Sequence, residues 1–266
     1  MAQYISQFDS TRELDNYYVP GADGWFLFDI LITYGNGLKM AVFARYIDDT
    51  NLEYAIVNRG STAVLDWLVD AAYIVNGVAP DVVVSMIKAI EFVNSHAGSE
   101  ITMVGHSKGG YEAIMNALVT DTNCITFNVL SPFNSGSSIA MYIELLSARY
   151  TKRMTHYVVA GEIAFVGNSV FGSNYGNPAW STVVYLLGPH PAWNTFANHG
   201  MDSVAIALGG TPLELYPAKP VPYTAPPVPG VRPSITPPPP TPKPTPTPNY
   251  NPPSIPGQPV PGARPW

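Results

Sequence analysis

The stretch Ile101–Gly110, ITMVGHSKGG, decides the fold. The mostly apolar residues before Gly105 predict a short buried strand, and a helical pattern, GGYEAIMNALVTD, begins at Gly109. Between the two elements, Gly105, Ser107 and Gly109 form the pattern G-x-S-x-G. A serine at such a junction sits on a sharp turn, whose crowded backbone needs flanking glycines. The turn places the hydroxyl of Ser107 at the carboxyl edge of a parallel sheet, where it is a candidate nucleophile.

The segments on either side of this turn alternate as expected of an α/β protein. Upstream, WFLFDILITYG and LKMAVFARYID predict a hairpin that turns at Gly35–Gly37, and LEYAIVNRG predicts a third strand. The segment VVVSMIKAIEFVNSHAG predicts a helix that ends at Gly98. Downstream, predicted strands in CITFNVLSP, THYVVAGEIAFVG and STVVYLLG alternate with helices in SIAMYIELLSARYT and MDSVAIALGG. We therefore predict an α/β fold with a mostly parallel central sheet flanked by helices.

Proline and charge divide the chain into two parts. Of the 28 prolines, 21 lie in Pro217–Trp266, which predicts a disordered, extended tail without a core. We therefore expect one folded domain over residues 1–216 and a proline-rich tail over residues 217–266. The first part carries 9 Lys and Arg against 19 Asp and Glu, and the tail carries 4 against 0. The tail is expected to be a spacer, with docking of a partner as the alternative.

Composition excludes several classes of function. The acidic body argues against a nucleic-acid partner, because phosphate binding needs clustered Lys and Arg. Scattered histidines and the single Cys124 predict neither a metal site nor a disulfide, and no nucleotide-binding motif suggests a cofactor. No apolar stretch is long enough to span a membrane, and the N-terminus lacks a Sec-type signal. We expect either a cytoplasmic protein or one exported by another route.

Two motifs resemble the signatures of class 3 lipases, the fungal triacylglycerol lipase type. VNRGST…DWLVDA, which begins at Val57, is similar to the family's FRGT/S…DWL.D. GHSKGG is similar to GHSLGG and closer still to a bacterial lipase-like branch that carries Lys at this position. The resemblance covers about residues 52–208 and keeps the two motifs in the family's order. The chain departs from the family at Asn58, where Phe is usual, and a shorter spacing between the motifs argues against a long lid.

The resemblance implies an α/β-hydrolase fold and a specific set of site residues. Ser107 corresponds to the nucleophile, and Ser61 and Lys108 correspond to the oxyanion hole, to which each contributes a backbone N–H. Among the neighbouring side chains, Trp180, Trp193 and Phe196 surround the predicted histidine segment. They are candidates to line an acyl pocket, and ordinary packing is the alternative.

The acid and the base follow the nucleophile in the order serine, acid, histidine that such hydrolases use. Glu162 lies at the exit of a predicted strand and resembles the family's acid position, and Asp202 is the alternative. His190 and His199 both follow the last predicted strand, where the base belongs. We favour His199, because NHGMDSVAIAL resembles the histidine segment of the lipase-like branch, and His190 is the alternative.

These features predict a serine carboxylester hydrolase that cleaves lipid-like esters through an acyl-enzyme intermediate. Its expected partners are a lipid ester and, transiently, a lipid surface. Two alternatives stay open: a thioesterase that uses the same residues, and a hydrolase-fold module that binds a partner without catalysis.

Overall fold

The computed structural model describes Val19 and residues 22–33, 39–60, 80–133, 140–165, 174–191 and 193–210. The predicted turn at Gly35–Gly37, the candidate oxyanion residue Ser61 and the proline-rich tail over residues 217–266 lie outside the described residues.

Seven strands form one sheet whose spatial order follows the order of the chain. The strands are β1 (Phe26–Thr33), β2 (Lys39–Tyr46), β3 (Leu52–Asn58), β4 (Glu100–His106), β5 (Asn123–Phe127), β6 (Met154–Val159) and β7 (Ser181–Leu186). The described helices are α1 (Pro80–Ser95), α2 (Lys108–Thr120), α3 (Ala140–Ser147), α4 (Thr195–His199) and α5 (Met201–Ala207). The first three strands are antiparallel, and β3 to β7 are parallel. The predicted α/β fold with a mostly parallel sheet flanked by helices is therefore confirmed.

Alternating side chains of the strands supply two separate apolar clusters, one on each face of the sheet. On one face Val42, Ile56 and Met103 pack in a cluster that includes residues of helices α1 and α2. On the opposite face Phe43, Val57 and Val104 form the second cluster. Successive residues of a strand point to opposite faces, so these strands read as almost continuous apolar runs. Helix α5 covers the sheet farther along, where its Val204 packs with residues of β6 and β7.

Two differences from the sequence prediction shape the site. Strand β5 ends at Phe127 and does not continue to Pro132, because Asn128 adopts a left-handed backbone with φ of 45°. Asparagine tolerates this conformation better than most residues. The short helix α4, Thr195–His199, lies between the last predicted strand and the last predicted helix, where the sequence analysis gives no element. His199 is therefore the last residue of a helical turn.

His156 is a buried titratable group in the middle of β6. Its side chain is inaccessible to solvent, and its Nδ1 lies 2.7 Å from the hydroxyl oxygen of Thr126. Desolvation by burial lowers the pKa of His156 to about 4, whereas an unfolded chain restores an ordinary value of about 6.5. Between these two values the unfolded chain binds more protons than the folded one. Stability therefore falls as the pH drops through the unfolded value.

We expect the wild type to lose about 2 kcal/mol more unfolding free energy than His156→Gln when the pH falls from about 7.5 to about 5. Urea unfolding followed by tryptophan fluorescence measures both proteins at each pH. Burial alone would raise the pKa of Asp121, but hydrogen bonds to Thr151 and the charge of Lys152 together lower it. A carboxylate with a lowered pKa loses its stabilisation only at more acidic pH, so Asp121 does not affect this comparison. Equal losses in the two proteins would contradict the prediction.

Candidate active site

Ser107 occupies the predicted sharp turn between the last residue of β4 and the first residue of α2. Its backbone is in an unusual conformation, with φ of 56° and ψ of −126°, and its N–H donates a 3.0 Å hydrogen bond to the carbonyl of Phe127. A positive φ is costly for a residue with a side chain and persists only where the surroundings enforce it. The turn presents the Ser107 hydroxyl at the carboxyl edge of the parallel strands.

The glycines on both sides of Ser107 are required by close backbone contacts. A Cβ at Gly105 would lie 2.0 Å from the carbonyl oxygen of Gly109, and a Cβ at Gly109 would lie 2.4 Å from that of Asn58. Both distances are shorter than any real Cβ contact. The G-x-S-x-G pattern therefore lets helix α2 start directly against the ends of β3 and β4.

The structure brings Ser107, His199 and Glu162 into one hydrogen-bonded chain. The Ser107 hydroxyl oxygen lies 2.8 Å from Nε2 of His199, and Nδ1 of the same ring lies 2.5 Å from Oε2 of Glu162. The three residues follow β4, β7 and β6, so all of them lie beyond the carboxyl ends of parallel strands. In this arrangement the imidazole is placed to accept the serine proton while the carboxylate orients the ring and stabilises its cation.

Glu162 is fully buried, and hydrogen bonds to its carboxylate offset the cost of removing this group from water. Gly161, with φ of 78°, turns the chain directly after β6 so that Glu162 points back to His199. Oε2 also accepts a 2.7 Å hydrogen bond from the N–H of Ala164, and Oε1 accepts one from the N–H of Phe165. A buried carboxylate without such donors would be strongly unfavourable. The loop thus holds the carboxylate in one orientation.

The other candidates for acid and base lie elsewhere. The side chain of His190 is exposed, and its backbone N–H and carbonyl are hydrogen-bonded to the buried amide of Asn198. Asp202 is exposed in the first turn of α5. Of the two candidate bases, the structure therefore places His199 beside Ser107.

Lys108 begins helix α2, so its backbone N–H belongs to the positive end of the helix. Its ammonium group forms an ion pair with the carboxylate of Asp81 in the first turn of α1, and both side chains are largely buried. The ion pair connects the start of α1 to the turn that carries Ser107. The Lys108 backbone lies next to the candidate nucleophile while its charge is engaged by Asp81.

A buried polar cluster that sequence reasoning missed supports the end of β3. The amide nitrogen of Asn58 lies 2.8 Å from the hydroxyl of Ser85 and 3.0 Å from a carboxylate oxygen of Glu112. Asn116 donates to the same serine at 2.8 Å and to Asn58 at 3.2 Å. Asn58 stands where the resembled family has Phe, and this substitution was the only sequence signal. The cluster anchors β3 just before Arg59 and Gly60, which lead to the candidate oxyanion residue Ser61.

Of the three aromatic residues predicted to surround the histidine segment, Trp180 lies at the amino end of β7, and the other two lie just before His199. Trp180 directly precedes β7 at its amino end, where its ring contacts Tyr150 and Phe133. It lines a cavity of about 570 Å³, to which none of Ser107, Glu162 or His199 contributes. Its placement at the histidine segment was therefore wrong, because the strand β7 separates it from α4. Trp193 and Phe196 both lie within six residues before His199, and both are exposed.

Within the described ranges, no group of three or more His, Cys, Asp or Glu side chains could hold a metal ion. In the same ranges, no helix is both long and apolar enough to cross a membrane. Cys124 is buried, and burial raises the pKa of its thiol.

No protein-family model matches the chain, and no curated protein matches it either. Among solved structures, a triacylglycerol lipase from Penicillium expansum is similar at 14% identity over 75% of this chain and 86% of its own, with a TM-score of 0.43. Lip2 lipase from Yarrowia lipolytica is similar at 12% identity over 70% and 79%, with a TM-score of 0.42. Rhizomucor miehei lipase in its propeptide complex is similar at 15% identity over 65% of this chain, with a TM-score of 0.45. That match spans only 60% of the Rhizomucor chain.

Proposed function

We propose that the protein is a serine carboxylester hydrolase that cleaves lipid-like esters. The observation that carries the proposal is the contact of 2.8 Å between the Ser107 hydroxyl and His199, whose other ring nitrogen is paired with buried Glu162. The choice of lipid-like esters rests on the motifs GHSKGG and VNRGST, which resemble those of class 3 lipases and, at Lys108, of their bacterial lipase-like branch.

The proposed reaction begins when His199 accepts the proton of Ser107 as the serine oxygen attacks the ester carbonyl carbon. The carbonyl π bond opens to give a tetrahedral intermediate with a negatively charged oxygen. When this intermediate collapses, the bond to the leaving alcohol breaks, and His199 returns the proton to the alcohol. The remaining acyl-enzyme is hydrolysed by water, which His199 activates in the same way, and Ser107 is regenerated.

The negative oxygen of the intermediate needs hydrogen-bond donors, and we assign this role to the backbone N–H groups of Lys108 and Ser61. The position of Lys108 at the start of helix α2 supports the first assignment, since the helix adds positive potential there. The second rests on the motif resemblance. One such donor contributes about 3 to 4 kcal/mol of transition-state stabilisation.

The proposed function is tested with a fluorophosphonate probe and a series of p-nitrophenyl esters of increasing acyl length. We expect the probe to modify Ser107, which peptide mapping identifies, and kcat/KM to rise from short to longer acyl chains. An acyl thioester of matched length distinguishes the thioesterase alternative, because a thioesterase would prefer it to the oxygen ester. A protein that reacts with neither the probe nor any ester would contradict the proposal and favour a non-catalytic binding module.

Glu162→Gln is expected to lower kcat by about 10⁴-fold, because the amide cannot stabilise the imidazolium and favours the wrong ring tautomer. The measurement is steady-state hydrolysis of the best p-nitrophenyl ester. Asp202→Asn is the matched control, since it makes the same change at the alternative acid, which is exposed. It should keep nearly all activity. The reverse pattern would transfer the role of the acid to Asp202.

A further inference from the structure

We infer that His106 is a positioning residue that, together with Asn128, holds the backbone of His199 so that its ring meets Ser107. The inference rests on the proposed function, because it concerns the residue to which we assign the role of base.

Two side chains hold the same backbone carbonyl. Nε2 of His106 lies 2.7 Å from the carbonyl oxygen of His199, and the amide nitrogen of Asn128 lies 2.9 Å from it. Asn128 also donates to the carbonyl of Asn198 at 3.1 Å. A carbonyl oxygen has two lone pairs, so these two donors satisfy the His199 carbonyl completely.

The two donors are themselves fixed by the sheet. His106 is the last residue of β4, directly before Ser107, so the serine and one donor share the same rigid strand end. Asn128 directly follows β5, and its side-chain oxygen accepts a 2.8 Å hydrogen bond from the N–H of Val159 in β6. The His199 carbonyl is thereby attached to the ends of three adjacent strands. Helix α4 has only five residues and is not part of the sheet, so it depends on such contacts for its position.

The hydrogen bond determines the protonation of His106. A carbonyl oxygen only accepts, so Nε2 of His106 must carry the proton. Desolvation by burial, and secondly the charge of His199, lower the pKa of His106 to about 3, which keeps its ring neutral. The two imidazole rings lie 5.0 Å apart, where a cation would oppose the imidazolium that forms on His199 during catalysis. A neutral donor provides the hydrogen bond without this repulsion.

His106 also lies close to Gly60, which precedes Ser61. A Cβ at Gly60 would lie 3.1 Å from Nδ1 of His106 and 2.7 Å from its carbonyl oxygen. The glycine thus makes room for the histidine. The Nδ1 side of the His106 ring is therefore close to Gly60, and its Nε2 side is hydrogen-bonded to the backbone of His199.

The test compares His106→Leu with His106→Gln, because the glutamine amide offers an N–H at a similar distance from the backbone. We expect His106→Leu to lower kcat by about 10²-fold with little change in KM, since small displacements of catalytic groups have effects of this size. His106→Gln should recover most of the loss. His156→Gln, which also removes a buried histidine, should leave kcat near the wild-type value. Equal losses in His106→Leu and His106→Gln would overturn the inference.

A double-mutant cycle separates positioning from a general loss of structure. In a His199→Ala background, His106→Leu should have almost no further effect on the residual rate, because the residue it positions is gone. A loss of the same factor in both backgrounds would overturn the inference. If His106→Leu does not fold, Asn128→Gly takes its place in the cycle, because glycine keeps the left-handed backbone and removes the second donor.

Proton NMR tests the position of the His199 ring without a measurement of enzyme activity. The proton shared by His199 and Glu162 should give a far-downfield resonance that disappears in His199→Ala. His106→Leu should shift or broaden this resonance, and His106→Gln should restore it. An unchanged resonance in His106→Leu would overturn the positioning role. If Ser107→Ala retains full activity while the resonance responds as expected, the proposed function fails and the positioning of His199 stands.

Discussion

Ser107→Ala should lower kcat for p-nitrophenyl ester hydrolysis by about 10⁵- to 10⁶-fold and abolish labelling by the fluorophosphonate probe. The reason is that Ser107 supplies the atom that forms the acyl-enzyme. Its hydroxyl is 2.8 Å from His199 and lies at the carboxyl edge of the sheet, whereas an alanine leaves His199 without a proton to accept. The remaining rate would come from binding and from the oxyanion donors alone.

Ser181→Ala is the matched control for this substitution. Ser181 is a partly buried serine at the amino end of β7, where its hydroxyl donates a 2.6 Å hydrogen bond to the carbonyl of Tyr175. Its replacement removes one hydroxyl at the opposite edge of the sheet and should leave both turnover and labelling intact. If Ser107→Ala and the wild type react alike with the ester and the probe, Ser107 is not the nucleophile.

His199→Ala is expected to lower kcat by nearly as much as Ser107→Ala, about 10⁵- to 10⁶-fold. Without the imidazole no group beside Ser107 can accept its proton, and the leaving alcohol has no proton donor. Residues that act as a unit have strongly non-additive effects, so the double variant Ser107→Ala/His199→Ala should lose little more than either single variant. Steady-state rates at saturating ester, measured for the three proteins, check this expectation.

His190→Ala serves as the matched control because both histidines follow β7 and both were candidates for the base. The side chain of His190 is exposed, and its contacts with Asn198 involve only its backbone, which alanine retains. Its activity should therefore stay near the wild-type level. A variant His199→Ala that keeps near-normal turnover, with His190→Ala inactive, would reverse the assignment of the base.

The sequence alone was enough to predict the fold and the turn at Ser107, because both depend on local properties. Alternation of apolar residues distinguishes strands from helices over short windows, and the order of these elements implies a mostly parallel sheet. The G-x-S-x-G pattern is visible in five consecutive residues, and the need for Gly105 is local, because a Cβ there would meet the backbone of Gly109. The need for Gly109 arises only in the folded chain, because a Cβ there would meet the backbone of Asn58. The end of β5 was harder to predict, since it depends on the left-handed backbone of Asn128 and its hydrogen bonds to β6 and α4.

The distances between residues that are far apart in the chain could be obtained only from the tertiary structure. Glu162 and Asp202 were alternatives in the sequence, as were His190 and His199, and only the packing of α4 against the strand ends shows which pair lies beside Ser107. Their catalytic roles stay predictions that the substitutions above test. Trp180 was misplaced for the same reason, since sequence proximity to the histidine segment does not reveal that β7 separates them.

His106 shows most clearly which features the sequence determines and which depend on the tertiary structure. As a sequence feature, it is the variable residue before the candidate nucleophile, and nothing local predicts its partner. In the structure, its ring donates to the carbonyl of His199, 93 residues farther along the chain. Local sterics determine that a serine can stand on a strained turn. Whether that serine meets a correctly oriented histidine depends on hydrogen bonds that exist only after the strands and helices have packed together.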